Sequence, residues 1–162
     1  MKPLAMIVGM NPNRVIGHQG DIPWHSKEDM KFFRRATIGH AVIMGRLTFE
    51  SLPKRPLRDR TNIVVSRTIK SLPGCDVTNS VEQGIELARR VDPCPFVIGG
   101  AQIYKEALPF TTHLYLTELD LEAEGDTFFP ELSSSDWKLH RQHQVSNCSF
   151  QLWTRTSDRS QT

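Results

Sequence analysis

The chain has 162 residues, of which 38% are apolar and 23% charged, and these proportions predict one water-soluble domain that spans residues 1–162. The net charge of +2 and the pI of about 8.5 exclude the strongly basic surface of a nucleic-acid-binding protein. The three cysteines are widely spaced without a metal-binding cluster and no apolar run is long enough to cross a membrane, so we expect a cytoplasmic protein without a metal site.

Short apolar runs bounded by turn residues predict buried strands, and runs of alternating polarity predict half-buried ones. In chain order, the predicted strands are residues 4–9, 41–45, 62–66, 75–77, 95–99, 114–121, 137–145 and 149–155. Helical spacing of apolar residues predicts the helices between them. These helices begin after the N-cap Ser26, at Arg46, after the N-cap Ser80 and at Ala101. We expect the tail 156–162 to be disordered.

This order of elements predicts an α/β fold, with an open, mostly parallel eight-stranded sheet, helices on both faces and an antiparallel C-terminal hairpin. Ligands of such sheets gather at the carboxyl ends of the strands. No GxGxxG motif follows the first strand, so the standard Rossmann dinucleotide fingerprint is absent.

The unusual residue of the first helix is Asp29, a carboxylate in the first turn, three residues after Ser26. Met30, Phe33 and Ile38 are expected to form an apolar face beside it, and a loop bearing a tryptophan precedes the helix. Two interpretations remain open. In the first, Asp29 is an acid at a helix start, where its interaction with the helix macrodipole stabilises the helix by about 0.3–1 kcal/mol. In the second, Asp29 is an acid in an apolar cleft that holds a cationic or amidine-like ligand.

Two strand-to-helix corners carry glycine, whose missing side chain lets a ligand approach the backbone. Gly45 precedes the helix that begins with Arg46, and Gly99 and Gly100 precede the helix at Ala101. Helix starts of this kind favour anions such as phosphate, and a plain structural corner is the alternative.

Further cations lie on both sides of the strand 62–66. Ser66 and Arg67 stand at its end and suit a phosphate or a ribose. The proline-rich segment before the strand carries Lys54, Arg55 and Arg58, which form either a solvated rim or a site for a carboxylate, for which arginine offers a two-pronged donor.

Several of these segments, in this order and spacing, resemble the dihydrofolate reductase family, and the resemblance covers about residues 4–155. They are VIG at 15–17, IPW at 22–24, Asp29 with Phe33, VIMGRLTFESL at 42–52, VIGGAQIY at 97–104 and EGDTFFP at 124–130. The chain is similar to the bacterial, monomer-length members. The resemblance implies an NADPH-dependent oxidoreductase that reduces 7,8-dihydrofolate to 5,6,7,8-tetrahydrofolate and supports one-carbon metabolism.

For the substrate, the resemblance implies that Asp29 hydrogen-bonds the amino-pyrimidine edge of the pteridine. Trp24 would hold a water beside that acid, and Thr117 would hydrogen-bond its far side. Ile22 would lie in the closing loop, and Arg60 would grip the carboxylate of the glutamate tail, with help from Arg55 or Lys54. The implied apolar wall around the rings consists of Val8, Met30, Phe33, Leu52 and Leu57.

For the cofactor, the resemblance implies that backbone groups of Gly9 and Ile16 hold the carboxamide of NADPH. The implied phosphate contacts come from two helix starts, namely Gly45, Arg46, Leu47 and Thr48 in one and Gly99, Gly100, Ala101, Gln102 and Ile103 in the other. It also implies a cis peptide between Gly99 and Gly100. Ser66 and Arg67, together with Arg46, would bind the adenosine 2′-phosphate that selects NADPH over NADH.

Two residues depart from the family pattern. Gln102 stands where many bacterial members carry arginine, so one cation for a phosphate is missing, and Ile22 is stiffer than the methionine of the best-known loop. Asp126 would latch that loop through the backbone of residues 17–19. We expect a monomer whose inhibitors include antifolates such as trimethoprim or methotrexate.

Two rival functions remain. One is a related reductase that acts on a pyrimidine or ribityl substrate with the same cofactor. Asp29 with Trp24 and Arg60 favours a pterin with a glutamate tail instead. The other is a noncatalytic nucleotide-binding or scaffold domain, which would be indicated by loss of the acid.

Overall fold

The computed structural model describes residues 1–17 and 24–156. The strands are β1 (Ala5–Met10), β2 (Val15–Gly17), β3 (Ala41–Gly45), β4 (Thr61–Val65), β5 (Asp76–Thr78), β6 (Phe96–Gly99), β7 (His113–Leu119), β8 (Thr127–Phe128), β9 (Trp137–Val145) and β10 (Cys148–Arg155). The helices are α1 (Lys27–Thr37), α2 (Arg46–Ser51), α3 (Val81–Arg89) and α4 (Ala101–Ala107), followed by a 3₁₀ turn (Leu108–Phe110).

An eight-stranded sheet in the order β5-β4-β3-β6-β1-β7-β10-β9 confirms the predicted fold class. The six strands from β5 to β7 are parallel, and β10 and β9 are antiparallel to their neighbours and form the C-terminal hairpin. A second sheet joins β2 to β8 and was not predicted, because strands of three and two residues are too short to show an alternating pattern.

Alternation along β1 divides the core into two clusters on opposite faces of the sheet. Met6 and Val8 belong to the cluster that packs against α3 and α4. Ala5 and Ile7 belong to the cluster that packs against α1 and α2. Helices therefore cover both faces, as predicted.

Helix α1 begins as predicted, because the Ser26 side chain accepts a hydrogen bond from the backbone N–H of Asp29. The predicted apolar face is only partly right. Phe33 packs against the core, whereas Met30 is 52% exposed and Ile38 is 37% exposed. Ile38 lies beyond the last helical turn, as the C-cap residue, and so cannot continue the helical face.

The end of the described chain is bound to the domain. Thr156 donates from its backbone N–H to Asp136 O and from its hydroxyl to Ser135 O, each at 2.8 Å. The predicted disorder is therefore wrong for Thr156, and residues 157–162 lie outside the described residues. None of the described helices has the length and hydropathy needed to cross a membrane.

Candidate active site

Four parallel strands bring their carboxyl ends to the same edge of the sheet. Gly45 ends β3, Gly99 ends β6, and Gly9 lies near the end of β1, paired in register with Thr117 of β7. The residues that the sequence singled out are therefore neighbours, as expected for a ligand site of this sheet type.

Helix α1 delivers Asp29 onto the backbone of β1. A Cβ atom on Gly9 would lie 2.8 Å from Asp29 Oδ2 and 3.5 Å from Leu119 Cδ1. A side chain at this position would require the carboxyl group to shift, so glycine suits the close approach of the acid to β1.

Burial raises the pKa of the Asp29 carboxyl, because removal from water disfavours the charged form. The hydroxyl of Thr117 acts in the opposite direction and lowers that pKa by a smaller amount. Thr117 Oγ1 is itself buried and makes no hydrogen bond of good geometry with any described residue. The site therefore combines the desolvated acid Asp29 with the Thr117 hydroxyl, which can still hydrogen-bond a ligand.

The predicted apolar wall is assembled in part. Phe33, Leu52 and Leu57 pack against the same cluster on the α1 side of the sheet. Val8 does not join them: it is 5% exposed and packs in the opposite cluster, so the prediction for its side chain is wrong. Its neighbour Ile7 faces the α1 side instead, because successive strand residues point to opposite faces.

Arg60 is held at the edge of this wall. Its Nε donates to Arg58 O at 2.9 Å, its Nη1 donates to Thr37 Oγ1 at 3.2 Å, and its guanidinium lies 6.0 Å from the centre of the Phe33 ring. Burial and the nearby positive charge of Arg34 lower the pKa of Arg60. Because Nη2 donates to no described residue, the guanidinium keeps a free edge for an acceptor.

The starts of α2 and α4 lie side by side. Each helix has a glycine N-cap, Gly45 or Gly100, that makes no side-chain capping bond. A Cβ atom on Gly45 would lie 3.1 Å from Ile103 Cγ1, and one on Gly100 would lie 3.3 Å from Thr48 Oγ1. The two helix starts therefore form one cradle, lined with backbone N–H groups that suit anions.

The Gly99–Gly100 peptide is cis, as the resemblance implied. Gly99 has φ of 122°, and a Cβ atom there would lie 3.1 Å from the Tyr104 hydroxyl oxygen. That hydroxyl lies 2.8 Å from Ile7 O and 2.9 Å from Ile98 O, so it ties the ends of β1 and β6 together.

In both α2 and α4, a side chain in the first turn donates a hydrogen bond to a glutamate one turn later. Arg46 Nη1 pairs with Glu50 Oε1 at 2.9 Å, and Gln102 Nε2 donates to Glu106 Oε1 at 3.0 Å. Near β4, the Ser66 hydroxyl oxygen accepts from the backbone N–H groups of residues 68 and 69. Arg67 is exposed, as is Leu47.

The family profile described as "Dihydrofolate reductase" matches residues 3–155. The chain belongs to the dihydrofolate reductase family. It is 44% identical over 137 residues to a dihydrofolate reductase of Bacillus subtilis (84% of this chain, 80% of that protein), and 42% identical over 135 residues to one of Haemophilus influenzae (83% of each).

A solved dihydrofolate reductase structure has the same fold. It is that of Enterococcus faecalis, complexed with NADP(H) and RAB-propyl, and superposes with a TM-score of 0.86 at 33% identity. The alignment covers 96% of this chain and 98% of that chain. The match therefore extends over nearly the whole domain.

Within this dihydrofolate reductase domain, the small β2–β8 sheet reaches to Gly17, the last described residue before position 18. Asp126 donates its backbone N–H to Gly17 O at 3.1 Å. A Cβ atom on Gly125 would lie 2.6 Å from the same oxygen, so only glycine fits. Ile22 lies outside the described residues, and the described Trp24 is half-buried.

Two features of this site were not predicted from the sequence: the position of Ile7 on the α1 side of the sheet, and the contacts of the Tyr104 hydroxyl with β1 and β6. The alternation along β1 could have assigned Ile7, because it fixes which side chain shares a face with α1. Nothing local marks the role of Tyr104, since one of the two carbonyl groups near its hydroxyl belongs to Ile7, which lies 97 residues away in the chain. No cluster of His, Cys, Asp and Glu suited to a metal ion occurs within residues 1–17 and 24–156.

Proposed function

We propose that this chain reduces 7,8-dihydrofolate to 5,6,7,8-tetrahydrofolate with NADPH and so supports one-carbon metabolism. The observation that carries this function is the desolvated Asp29 carboxyl, which lies against the backbone of β1 at the strand edge where the glycine cradle opens. Membership of the dihydrofolate reductase family supports the reaction class, and the buried acid and the glycine cradle support the positions proposed for its two ligands.

Asp29 binds the amino-pyrimidine edge of the pteridine, because one carboxylate offers two parallel acceptors for a pair of N–H donors. The Thr117 hydroxyl is buried and has no partner of good geometry in residues 1–17 and 24–156, and it completes the far side of that contact. The raised pKa of Asp29 favours its protonated form relative to an exposed aspartic acid and so couples the acid to protonation of the pteridine ring. Trp24 holds a water beside the acid.

The rest of the substrate follows the wall of the cleft. Phe33, Leu52 and Leu57 pack against the rings, and the exposed side chain of Met30 closes over them from α1. The free edge of Arg60 receives the carboxylate of the glutamate tail. Bidentate pairing explains why an anchored arginine, rather than a lysine, serves here.

The cradle fits a dinucleotide that carries phosphates. Backbone N–H groups of Arg46, Leu47 and Thr48 in one helix start, and of Ala101, Gln102 and Ile103 in the other, receive the phosphate oxygens. Gly9 and Ile16 orient the carboxamide with backbone groups. NADPH, when bound, supplies the hydride.

The adenosine 2′-phosphate lies among Arg46, Ser66 and Arg67 in this proposal. Arg46 stands at the start of α2, and Ser66 follows β4, the neighbour of β3, so both side chains belong to one corner of the sheet. The charge of two arginines favours the additional phosphate and hence NADPH over NADH.

The remaining expectations complete this proposal. Asp126 latches the segment that contains Ile22, beginning with the bond to Gly17. We further propose a cytoplasmic monomer, inhibited by antifolates such as trimethoprim or methotrexate that occupy the Asp29 pocket.

One assay tests the function. The purified protein is mixed with NADPH and dihydrofolate, and the absorbance of reduced nicotinamide is followed. We expect loss of absorbance only when both are present. Oxidation of NADPH that does not depend on dihydrofolate, or no oxidation at all, would contradict the proposed reaction.

Recognition of the glutamate tail is tested by Arg60→Leu. We expect KM for dihydrofolate to rise by about 10- to 100-fold, because loss of a charge-assisted bidentate pair costs about 1.5–3 kcal/mol, while KM for a tailless pterin stays nearly unchanged. The matched control is Arg58→Leu, which removes an exposed arginine two residues away and is expected to leave both KM values unchanged. Equal effects on both substrates would contradict the role of Arg60.

A further inference from the structure

Helix α1 rests on the C-terminal strands through one stripe of side chains, spaced three residues apart: Ser26, Asp29 and Phe32. The Phe32 ring centre lies 4.7 Å from that of Phe150 in β10 and 6.4 Å from that of Tyr115 in β7. Residues three apart on a helix share a face, so the packing of Phe32 also turns Ser26 and Asp29 toward these strands.

At the beginning of the stripe, the Ser26 hydroxyl joins two parts of the chain. Its oxygen accepts the backbone N–H of Asp29 at 3.2 Å and lies 3.6 Å from Cys148 Sγ, at the first residue of β10. Cys148 Sγ in turn lies 3.7 Å from Asn147 Oδ1. The hydroxyl and the thiol can each donate one proton and accept another, and the Asn147 amide oxygen accepts, so the contacts form a consistent path from the hairpin to the acid-bearing helix.

The hairpin end of this path is rigidly held. Cys148 is 0% exposed and pairs with Leu119 of β7, whose side chain lies beside the same Gly9 position as the Asp29 carboxyl. Two residues further along, Phe150 pairs with Thr117. The paired strands β7 and β10 therefore contact the Asp29 carboxyl through Thr117 and contact Ser26, at the start of α1, through Cys148.

We propose that Ser26 and Cys148 are positioning residues for the substrate-binding acid. The sulfur of Cys148 holds the Ser26 hydroxyl, and that hydroxyl holds the backbone of Asp29, so the C-terminal hairpin sets where the carboxyl meets the pteridine. This role rests on the proposed function, because its kinetic effect requires that Asp29 binds dihydrofolate.

The matched pair Cys148→Ala and Cys148→Ser tests the role, since the two variants differ by a single hydroxyl group. We expect KM for dihydrofolate to rise about two- to tenfold in Cys148→Ala, the range that loss of one hydrogen bond gives, while KM for NADPH stays unchanged. Cys148→Ser keeps a partner for Ser26 and should restore most of the affinity. Cys75→Ala, at the opposite edge of the sheet, should change neither constant.

A merely structural role for Cys148 gives a different result, because partial unfolding lowers kcat through the active fraction and leaves both KM values in place. Unchanged KM for dihydrofolate in Cys148→Ala, or equal effects of Ala and Ser, would therefore overturn the proposal.

A readout that needs no activity separates this proposal from the proposed function. We expect the Asp29 amide to exchange with solvent faster in Cys148→Ala than in the unmodified protein. The internal control is the Gln83 amide, which donates to the N-cap Ser80 at 3.1 Å and should exchange at its original rate. Equal acceleration at both amides, or none at Asp29, contradicts the positioning role even if the reductase assay succeeds. Failure of the reductase assay in the unmodified protein would contradict only the reaction.

Discussion

Two acids at opposite ends of the sheet, Asp92 and Asp29, have opposite surroundings. At the amino end, Asp92 is 6% exposed and fully engaged: Oδ2 accepts from Ala41 N and lies 2.8 Å from His40 Nδ1, and Oδ1 accepts from Cys94 N. At the carboxyl end, the Asp29 carboxyl is desolvated and the Thr117 hydroxyl has no partner of good geometry among the described residues.

This difference distinguishes buried polar groups that stabilise the fold from buried polar groups that bind a ligand. A buried polar group with all its hydrogen bonds stabilises the chain, whereas one with open capacity costs stability and is kept where a ligand completes it. The same contrast separates α1 and α3, which have serine N-caps that accept a backbone N–H, from α2 and α4, whose glycine N-caps make no side-chain capping bond. Substitutions at the two ends should therefore have opposite consequences.

The largest effect is expected from Asp29→Asn, at the carboxyl end of the sheet. Turnover at neutral pH should fall about 10²–10⁴-fold, because an amide cannot take part in proton transfer, with partial recovery at acid pH where the substrate is already protonated. Steady-state rates as a function of pH measure this. Turnover equal to that of the unmodified protein would remove the acid from the reaction.

The same variant has a predicted effect on stability. Because burial raises the pKa of Asp29, the folded protein binds this proton more tightly than the unfolded chain, and that stabilisation is lost as the pH rises through the raised pKa. Asp29→Asn should therefore increase the free energy of unfolding at neutral pH, and the gain should shrink in acid. Denaturant unfolding at several pH values measures it.

At the amino end of the sheet, Asp92→Asn should destabilise the fold by about 2–4 kcal/mol. An amide cannot accept all three hydrogen bonds, so the substitution leaves backbone N–H groups buried without partners. Denaturant unfolding gives this value, and KM for both ligands should stay unchanged. Asp76→Asn, an exposed acid on the edge strand β5, is the control and should change stability little. A stability loss in the control as large as that of Asp92→Asn would contradict a special role for the buried acid.

A smaller effect is expected for Arg46→Ala, which removes a cation from the cradle. The ratio of kcat/KM for NADPH to that for NADH should fall about tenfold, because one charge-assisted contact to the 2′-phosphate is lost. Arg90 pairs with Glu86 four residues earlier on α3, so Arg90→Ala removes the same kind of surface pair at a remote place. An unchanged cofactor ratio in Arg46→Ala would disprove its role.

The smallest effect is expected for Thr117→Val, which removes a buried hydroxyl that has no partner of good geometry among the described residues and keeps the shape of the side chain. Stability should stay equal or rise by about 1 kcal/mol, because the buried polar group is removed, while KM for dihydrofolate rises several-fold. Lower stability together with an unchanged KM would show that the hydroxyl is structural.

The sequence predicted the eight strands of the main sheet because each is an apolar or alternating run with turn residues at its ends. It also placed Asp29 correctly, since the Ser26 cap fixes where α1 begins. It could not reveal that Asp92 joins β3 to the segment before β6, or that Val8 faces away from α1. Those facts depend on pairing between distant segments, which local periodicity does not encode.

The most direct test of the account is a site-resolved NMR titration of the Asp29 carboxyl carbon in the ligand-free protein, with Asp76 as an exposed reference. Burial against β1 predicts an Asp29 midpoint above the ordinary value for an aspartic acid. A midpoint at or below the ordinary value would show a solvated carboxyl, and would contradict the claim that this acid is held out of water to bind and protonate a pteridine.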